Sequence, residues 1–173
     1  YQDSLKISAE MSSTGSLVSR FIWGEKANVP EFMVKAGTTY RLISDPRGSV
    51  RLVLNTSTGT VSQRIDYDEW GKVISDSNPG FQPFGYAGGL YDHRTGLIHF
   101  GSRSYDPEVG SWISRDPVSF NGGDSNLYGY VLQDPINLVD TTGQFAVEFG
   151  AALATQLGLP GASAGVGLAY SFD

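Results

Sequence analysis

The sequence predicts an all-β protein: consecutive antiparallel hairpins that build a curled sheet and end in a loop-rich plug. Three observations carry this reading. The 173 residues include 22 Gly and 8 Pro, while only 17% are charged, a composition that suits many short strands joined by tight turns. Asp-to-Gly turn signals recur at 45–48, 68–71, 92–96 and 106–110. Apolar residues alternate with polar ones on the flanks of these signals, with the period of two that a half-buried strand requires.

Each element follows from its residues. Segments 17–23 and 32–34 read as two strands. Segments 40–43 and 50–54 bracket the first turn, Asp45-Pro46-Arg47-Gly48. Thr56-Ser57-Thr58-Gly59 is a separate hairpin turn. Segments 61–67 and 72–75 bracket the second, Asp68-Glu69-Trp70-Gly71, and Ile65 and Tyr67 alternate there with Asp66 and Asp68. Ser77-Asn78-Pro79-Gly80 is a loop. Segment 97–105 reads as one alternating strand and, with 111–114, brackets the turn Asp106-Pro107-Glu108-Val109-Gly110. In such turns the Asp side chain caps backbone N–H groups and Gly supplies a positive φ, so Gly48, Gly71, Gly96 and Gly110 are expected at tight turns. The intervals from Asp45 to Asp68 and from Asp68 to Asp92 are 23 and 24 residues, the period of stacked supersecondary units. Residues 120–125 form a loop. Beyond Gln144, apolar residues at 145, 149, 153 and 157 make a helix-like stripe.

Bulk properties narrow the function. A net charge of −6 without any basic run argues against a nucleic-acid partner. The absence of cysteine excludes disulfides and thiolate chemistry. Two histidines, His93 and His99, are too few for a convincing metal centre, and no metal, cofactor or small-molecule ligand is expected. No apolar run approaches the roughly 20 residues of a membrane helix. The chain starts at Tyr1, without an initiating Met or signal peptide, and reads as a mature product or a piece of something longer.

Four motifs then appear in order within 39 residues: YDPEVGSW at 105–112, SRDP at 114–117, NLYGYV at 126–131 and DPINLVDTTG at 134–143. This order resembles the C-terminal core of Rhs and YD-repeat proteins, including Rhs polymorphic toxins and the C subunits of insecticidal toxin complexes. IDYDEWGKVISDS at 65–77 resembles a YD repeat, and GEKANVPEFM at 24–33 resembles the approach to the terminal repeats. The resemblance implies a YD-repeat sheet over 1–114, a core plug over 115–143 that seals one end of a hollow shell, and a variable tail over 144–173. Trp112, Tyr128 and Tyr130 are then expected to be buried together, holding the plug. It also implies a secreted or cell-surface bacterial protein. Bare sheet edges must be covered, either by an upstream YD-repeat shell or by copies of this chain.

Some relatives cut their own chain, and the resemblance assigns that role here to Asp116 and Asp140. Two close carboxylates share a proton, so one activates water while the other protonates the departing group. Arg115 is positioned to hold Asp116, and the implied cut lies between Gln144 and Phe145. Two departures stand against it: Asp116-Pro117-Val118-Ser119-Phe120 lacks the motif's Gly, and Asp140-Thr141-Thr142-Gly143-Gln144 lacks its Pro and its Leu. The plain alternative is that both aspartates are turn residues. Elsewhere, His99 reads as a satisfied strand histidine and His93 as solvent-facing. Ser102 and Ser104 lack an evident acid–base partner. The glycine-rich 84–89 reads as a bulged strand, and the many aromatics read as cross-strand packing. Two functional classes remain: a terminal core that encloses or presents a C-terminal polypeptide, with or without self-cleavage, and a non-enzymatic surface or filament subunit.

Overall fold

A computed structural model describes residues 6–117 and 126–144 and the backbone of 147–148. The first sheet is an antiparallel meander of seven strands in chain order: β1 (Ala9–Met11), β2 (Leu17–Ile22), β3 (Phe32–Lys35), β4 (Thr38–Ser44), β5 (Val50–Asn55), β6 (Val61–Tyr67) and β7 (Val73–Asp76). It does not close, and β1 and β7 are its edges. Side-chain alternation decides which face is inside. Ser19 and Phe21 of β2 are buried between exposed Leu17, Arg20 and Ile22, and β6 buries Gln63 and Ile65 between exposed Val61 and Arg64. Register shifts interrupt the ladders at Glu10/Met11, Ile43/Ser44, Val53/Leu54 and Asp66/Tyr67. Bulges of this kind bend a strand and raise its twist, which curls a long meander.

The turn chemistry is as the residues dictate. Asp45 Oδ1 accepts a hydrogen bond from the Ser49 amide at 2.9 Å, and Asp68 Oδ1 accepts from the amides of Trp70 and Lys72, each at 2.9 Å. Asn55 Oδ1 does the same for Ser57 and Thr58. A further tight turn, Ala36-Gly37, joins β3 to β4 with φ of 49° and 76° at its two residues.

The second sheet has four sequential antiparallel strands, β8 (Leu90–Tyr91), β9 (Ile98–Phe100), β10 (Arg103–Asp106) and β11 (Ser111–Trp112). Asp92 and Asp106 cap its turns through the amides of Arg94 and Glu108. Two expectations are corrected here. The segment 97–105 is a hairpin and not one strand: Phe100 faces Arg103 across the two-residue tip Gly101-Ser102. The 24-residue interval from Asp68 to Asp92 is not one repeat of a single sheet, because it crosses from the first sheet to the second. A last pair joins β12 (Leu138–Val139) to β13 (Val147–Glu148). Val147 and Glu148, inside the segment read as helix-like, are strand; the stripe positions 145, 149, 153 and 157 lie outside the described residues, as does the 120–125 loop.

Segment 84–89 is not a bulged strand: Phe84 makes a single antiparallel bridge to Leu90, and Tyr86–Gly88 is a 3-10 turn with left-handed Ala87 and Gly88. It is the junction of the molecule. The Ala87 amide donates to Ser49 Oγ at 3.0 Å, and Asn28 Nδ2 donates to the carbonyls of Arg47 and Ala87. Phe84 closes one core with Phe21, Met33, Val50 and Val53, meeting the Phe21 ring edge-on at 5.0 Å. Tyr86 enters the other core with Ile98, Phe100, Tyr105, Trp112 and Tyr130. Burial pushes the Tyr86 phenol up to about 12. The Tyr105 hydroxyl donates to the Trp70 carbonyl at 2.8 Å, so the second sheet docks directly on the 68–71 turn.

Trp112 and Tyr130 are buried and meet at 5.4 Å, edge to face. Tyr128 is corrected: it is 49% exposed. Its carbonyl accepts from the Trp112 amide, but the Gly129 amide donates back to the Asn126 carbonyl at 2.9 Å, and this turn breaks the strand alternation that would have put Tyr128 and Tyr130 on one face, leaving Tyr130 inside and Tyr128 outside.

Two outcomes are expected. Gly71 and Gly96 share a left-handed backbone, at φ of 89° and 76°. A methyl group on Gly71 would run into the Tyr86 ring, whereas on Gly96 it meets open space. Gly96→Ala should therefore cost about 1 kcal/mol and Gly71→Ala a further ~1–3 kcal/mol in denaturant unfolding; equal losses would contradict the docking of Tyr86 on that turn. Trp112→Ala should cost about 3–5 kcal/mol, and a neutral effect on melting would contradict its core position.

Candidate functional site

The β9–β10 hairpin faces Ile98 and Phe100 across to Tyr105 and Arg103, and all four are buried. An arginine thus occupies a position where the alternation calls for an apolar side chain. Its charge must be met inside the protein, because an unpaired buried guanidinium is costly. Every arm is engaged. Nη1 lies 2.8 Å from Asp116 Oδ2, Nη2 lies 3.2 Å from Asp140 Oδ2, and Nε donates to the Gly143 carbonyl at 2.6 Å. The guanidinium also lies 4.1 Å from the centroid of the Trp112 ring.

Local structure delivers the two carboxylates. Asp116 follows β11, where Ser111 bridges Gly129 and the Asp116 amide donates to the Leu127 carbonyl at 3.0 Å. Asp140 follows β12 and turns the chain. Its Oδ1 accepts from the amides of Thr142, Gly143 and Gln144 and from the Thr142 hydroxyl, at 2.8–3.2 Å. The turn is then pinned to the hairpin tip: the Ser102 amide donates to the Thr142 carbonyl at 3.1 Å, and Ser102 Oγ reaches the Gly143 carbonyl at 2.7 Å. Gly143, with φ of 73°, lies so close to the Phe100 carbonyl that a side chain there would clash.

One guanidinium faces two carboxyl groups, and the side chains are only 3% exposed for Arg103 and Asp140 and 11% for Asp116. Burial raises the Asp140 carboxyl above its ordinary range, opposed by the Gln144 amide, the Thr142 hydroxyl and Arg103. A buried carboxyl that resists ionisation beside a more accessible carboxylate is an arrangement able to divide acid and base roles.

The structure thus brings Asp116 and Asp140 to one guanidinium, but not the expected one. Arg115 is exposed, and the arginine on Asp116 is Arg103. The signal for Arg103 was present: a charge on the inner face of an alternating strand. Gln144 is half-buried, and Phe145 lies outside the described residues. His99 and His93 are both exposed, and His99 Nδ1 is paired with Ser104 Oγ at 2.6 Å. No group of three or more potential metal ligands exists among the described residues, and no described helix is long and apolar enough to cross a membrane.

The raised Asp140 carboxyl sets a pH signature. In the unfolded chain this group ionises more readily than in the fold, so its contribution to stability is complete below the ordinary aspartate value. That contribution is lost as pH rises through the elevated folded value. The melting temperature of the parent minus that of Asp140→Asn should fall across this window; a difference that grows with pH would show that the carboxyl is not raised.

Comparison with known proteins locates the architecture. The family model described as Teneurin YD-shell matches residues 1–136. Teneurin-3 of Danio rerio is 30% identical over 133 residues, 70% of this chain and 5% of its own length. The putative uncharacterized protein YibJ of Escherichia coli strain K12 is 35% identical over 124 residues, 68% of this chain and 52% of its own. Among solved structures, the TcdB2-TccC3-TEV crystal structure superposes with a TM-score of 0.62 at 24% identity, over 83% of this chain and 7% of that one. The chain therefore spans about half of YibJ and a small fraction of the teneurin and TcdB2-TccC3 chains.

Proposed function

The chain belongs to the Teneurin YD-shell family, and from that premise we propose that it is the closing segment of a bacterial, secreted or surface-exposed YD-repeat shell. In this reading its open sheet edges pair with upstream YD-repeat strands. Residues 115–143 act as the inward-turned plug behind which a C-terminal polypeptide is enclosed or presented. The plug carries an aspartate pair that hydrolyses the chain immediately after it, with Asp116 as base and Asp140 as acid.

The observation that supports this best is the position of Arg103. It joins both aspartates to the 140–143 turn, so the carboxylates stand beside the backbone they would cut. A rate enhancement needs such positioning more than it needs strong groups. The Pro missing after Asp140 does not leave the turn loose, since Asp140 Oδ1 takes four hydrogen bonds within it. Those same four bonds favour the second reading, in which Asp140 only caps a turn and the chain is a structural surface or filament subunit.

Mass spectrometry of the purified chain after long incubation separates the two. Self-cleavage should appear as loss of the C-terminal tail, and both Asp116→Asn and Asp140→Asn should remain full length. A parent chain that stays full length under conditions where it is folded would leave the structural reading standing.

A further inference from the structure

We propose that the outward face of strands β2–β6 is a docking surface for an acidic, partly apolar polypeptide of another protein, and that the cleft between Lys26 and Arg41 takes an Asp or Glu side chain of that partner. Strand pairing at the edges β1 and β7 leaves this face uncovered, and the proposal stands apart from both readings of the aspartate pair.

The strand registers build the face. Ile22 faces Phe32, Phe32 faces Arg41, Arg41 faces Leu54 and Leu54 faces Val61, one unbroken row over five strands. The row points away from the core: the chain neighbours Phe21, Met33, Leu42 and Val53 are the buried residues, while Ile22 and Val61 are 43% and 56% exposed. A second row, Ile43–Leu52–Arg64, runs along one side of it, and Arg20 faces Val34 on the other. The solvated face of an antiparallel sheet is ordinarily polar at these positions. Here it is apolar with interspersed arginines, the composition of a protein interface.

Charge selects the occupant. In a chain of net charge −6, this face presents Arg20, Arg41 and Arg64, and the neighbouring Asp66 already holds Arg51 and Arg64. Among the described residues, Arg20 and Arg41 have no carboxylate within ion-pair distance. A guanidinium between Phe32 and Leu54 matches a carboxylate with two parallel hydrogen bonds. Beside it, a cleft of about 160 Å³ opens between loop 26–31 and the end of β4, lined by Lys26, Val29, Glu31, Arg41 and Ile43 among others. Lys26 Nζ is fixed there by two neutral oxygens, Ser44 Oγ at 2.6 Å and the Asp45 carbonyl at 3.2 Å. Two cations against Glu31 leave one positive charge, which one carboxylate side chain balances. A space of side-chain size suits a polypeptide better than a layer of lipid headgroups.

A random dodecapeptide library displayed on phage, panned on the folded chain, tests this. The selected sequences should be acidic with interspersed apolar residues, and a synthetic copy of the leading one should bind more weakly as salt rises. Arg41→Glu should weaken that peptide by about tenfold or more. Arg94→Glu, the same charge change on an exposed turn of the second sheet, should stay within about twofold of the parent. Arg41 is exposed and makes no ion pair, so the variant should melt with the parent; if it does not, Arg41→Gln decides instead. Neutral or basic selected peptides, no enrichment, or equal losses in the Arg41 and Arg94 variants would overturn the proposal. So would either of two other occupants: phosphatidylglycerol vesicles bound by the parent and not by Arg41→Glu, with no acidic peptide selected, or a dimer of the chain that Arg41→Glu dissolves.

Discussion

A buried guanidinium ties the second sheet to the described segments that follow it. Arg103 is placed on the inner face of β10 by alternation alone, and its charge has no route to solvent. The fold therefore brings partners to it: Asp116 from the segment after β11, Asp140 and the Gly143 carbonyl from the turn after β12, and the face of Trp112 from β11 itself. Each partner belongs to a different stretch of chain. Breaking a buried ion pair on one side leaves an uncompensated charge, so these contacts specify the arrangement more than they stabilise it. The aromatic core beneath, where Tyr105 and Tyr130 approach to 4.3 Å, supplies the burial that makes the specification strict.

The two sheets are joined by the same economy. The turn at 68–71 offers a bare glycine face to Tyr86 and a carbonyl to Tyr105, and the turn at 45–48 offers the Arg47 carbonyl to Asn28. Hairpin tips, exposed in most β-proteins, serve here as docking points. Lys72 and Glu108 add an ion pair at 2.7 Å across the same junction, but it is exposed and contributes little. The left-handed turn at Ala87 and Gly88 lets a single short segment send Phe84 into one core and Tyr86 into the other.

In the self-cleaving reading, Asp140 serves fold and chemistry together. One carboxylate oxygen closes the turn and the other meets the guanidinium. The turn it closes is the stretch of backbone that its acid function would act on, so loosening one loosens the other. A plain turn aspartate would face solvent; burial is what gives this one an altered affinity for protons.

The sequence by itself determined the all-β class, most strand positions and the turns at Gly48, Gly71, Gly96 and Gly110, because side-chain alternation and positive φ are local properties of the chain. It also determined the family, through four short motifs in a fixed order, and it pointed to Asp116 and Asp140 by that resemblance. Tertiary structure decided the rest. It split 97–105 into a hairpin, since a two-residue turn at Gly101-Ser102 competes with a continuous strand only when both arms find an inner face to pack. It placed Tyr128 outside and Tyr130 inside, because the turn closed between Asn126 and Gly129 breaks the alternation that would otherwise put both on one face. It chose Arg103 over Arg115, because sequence adjacency to Asp116 says nothing about which arginine is buried. A buried charge selects its partners from distant segments, and that choice is made by packing, which no local pattern encodes.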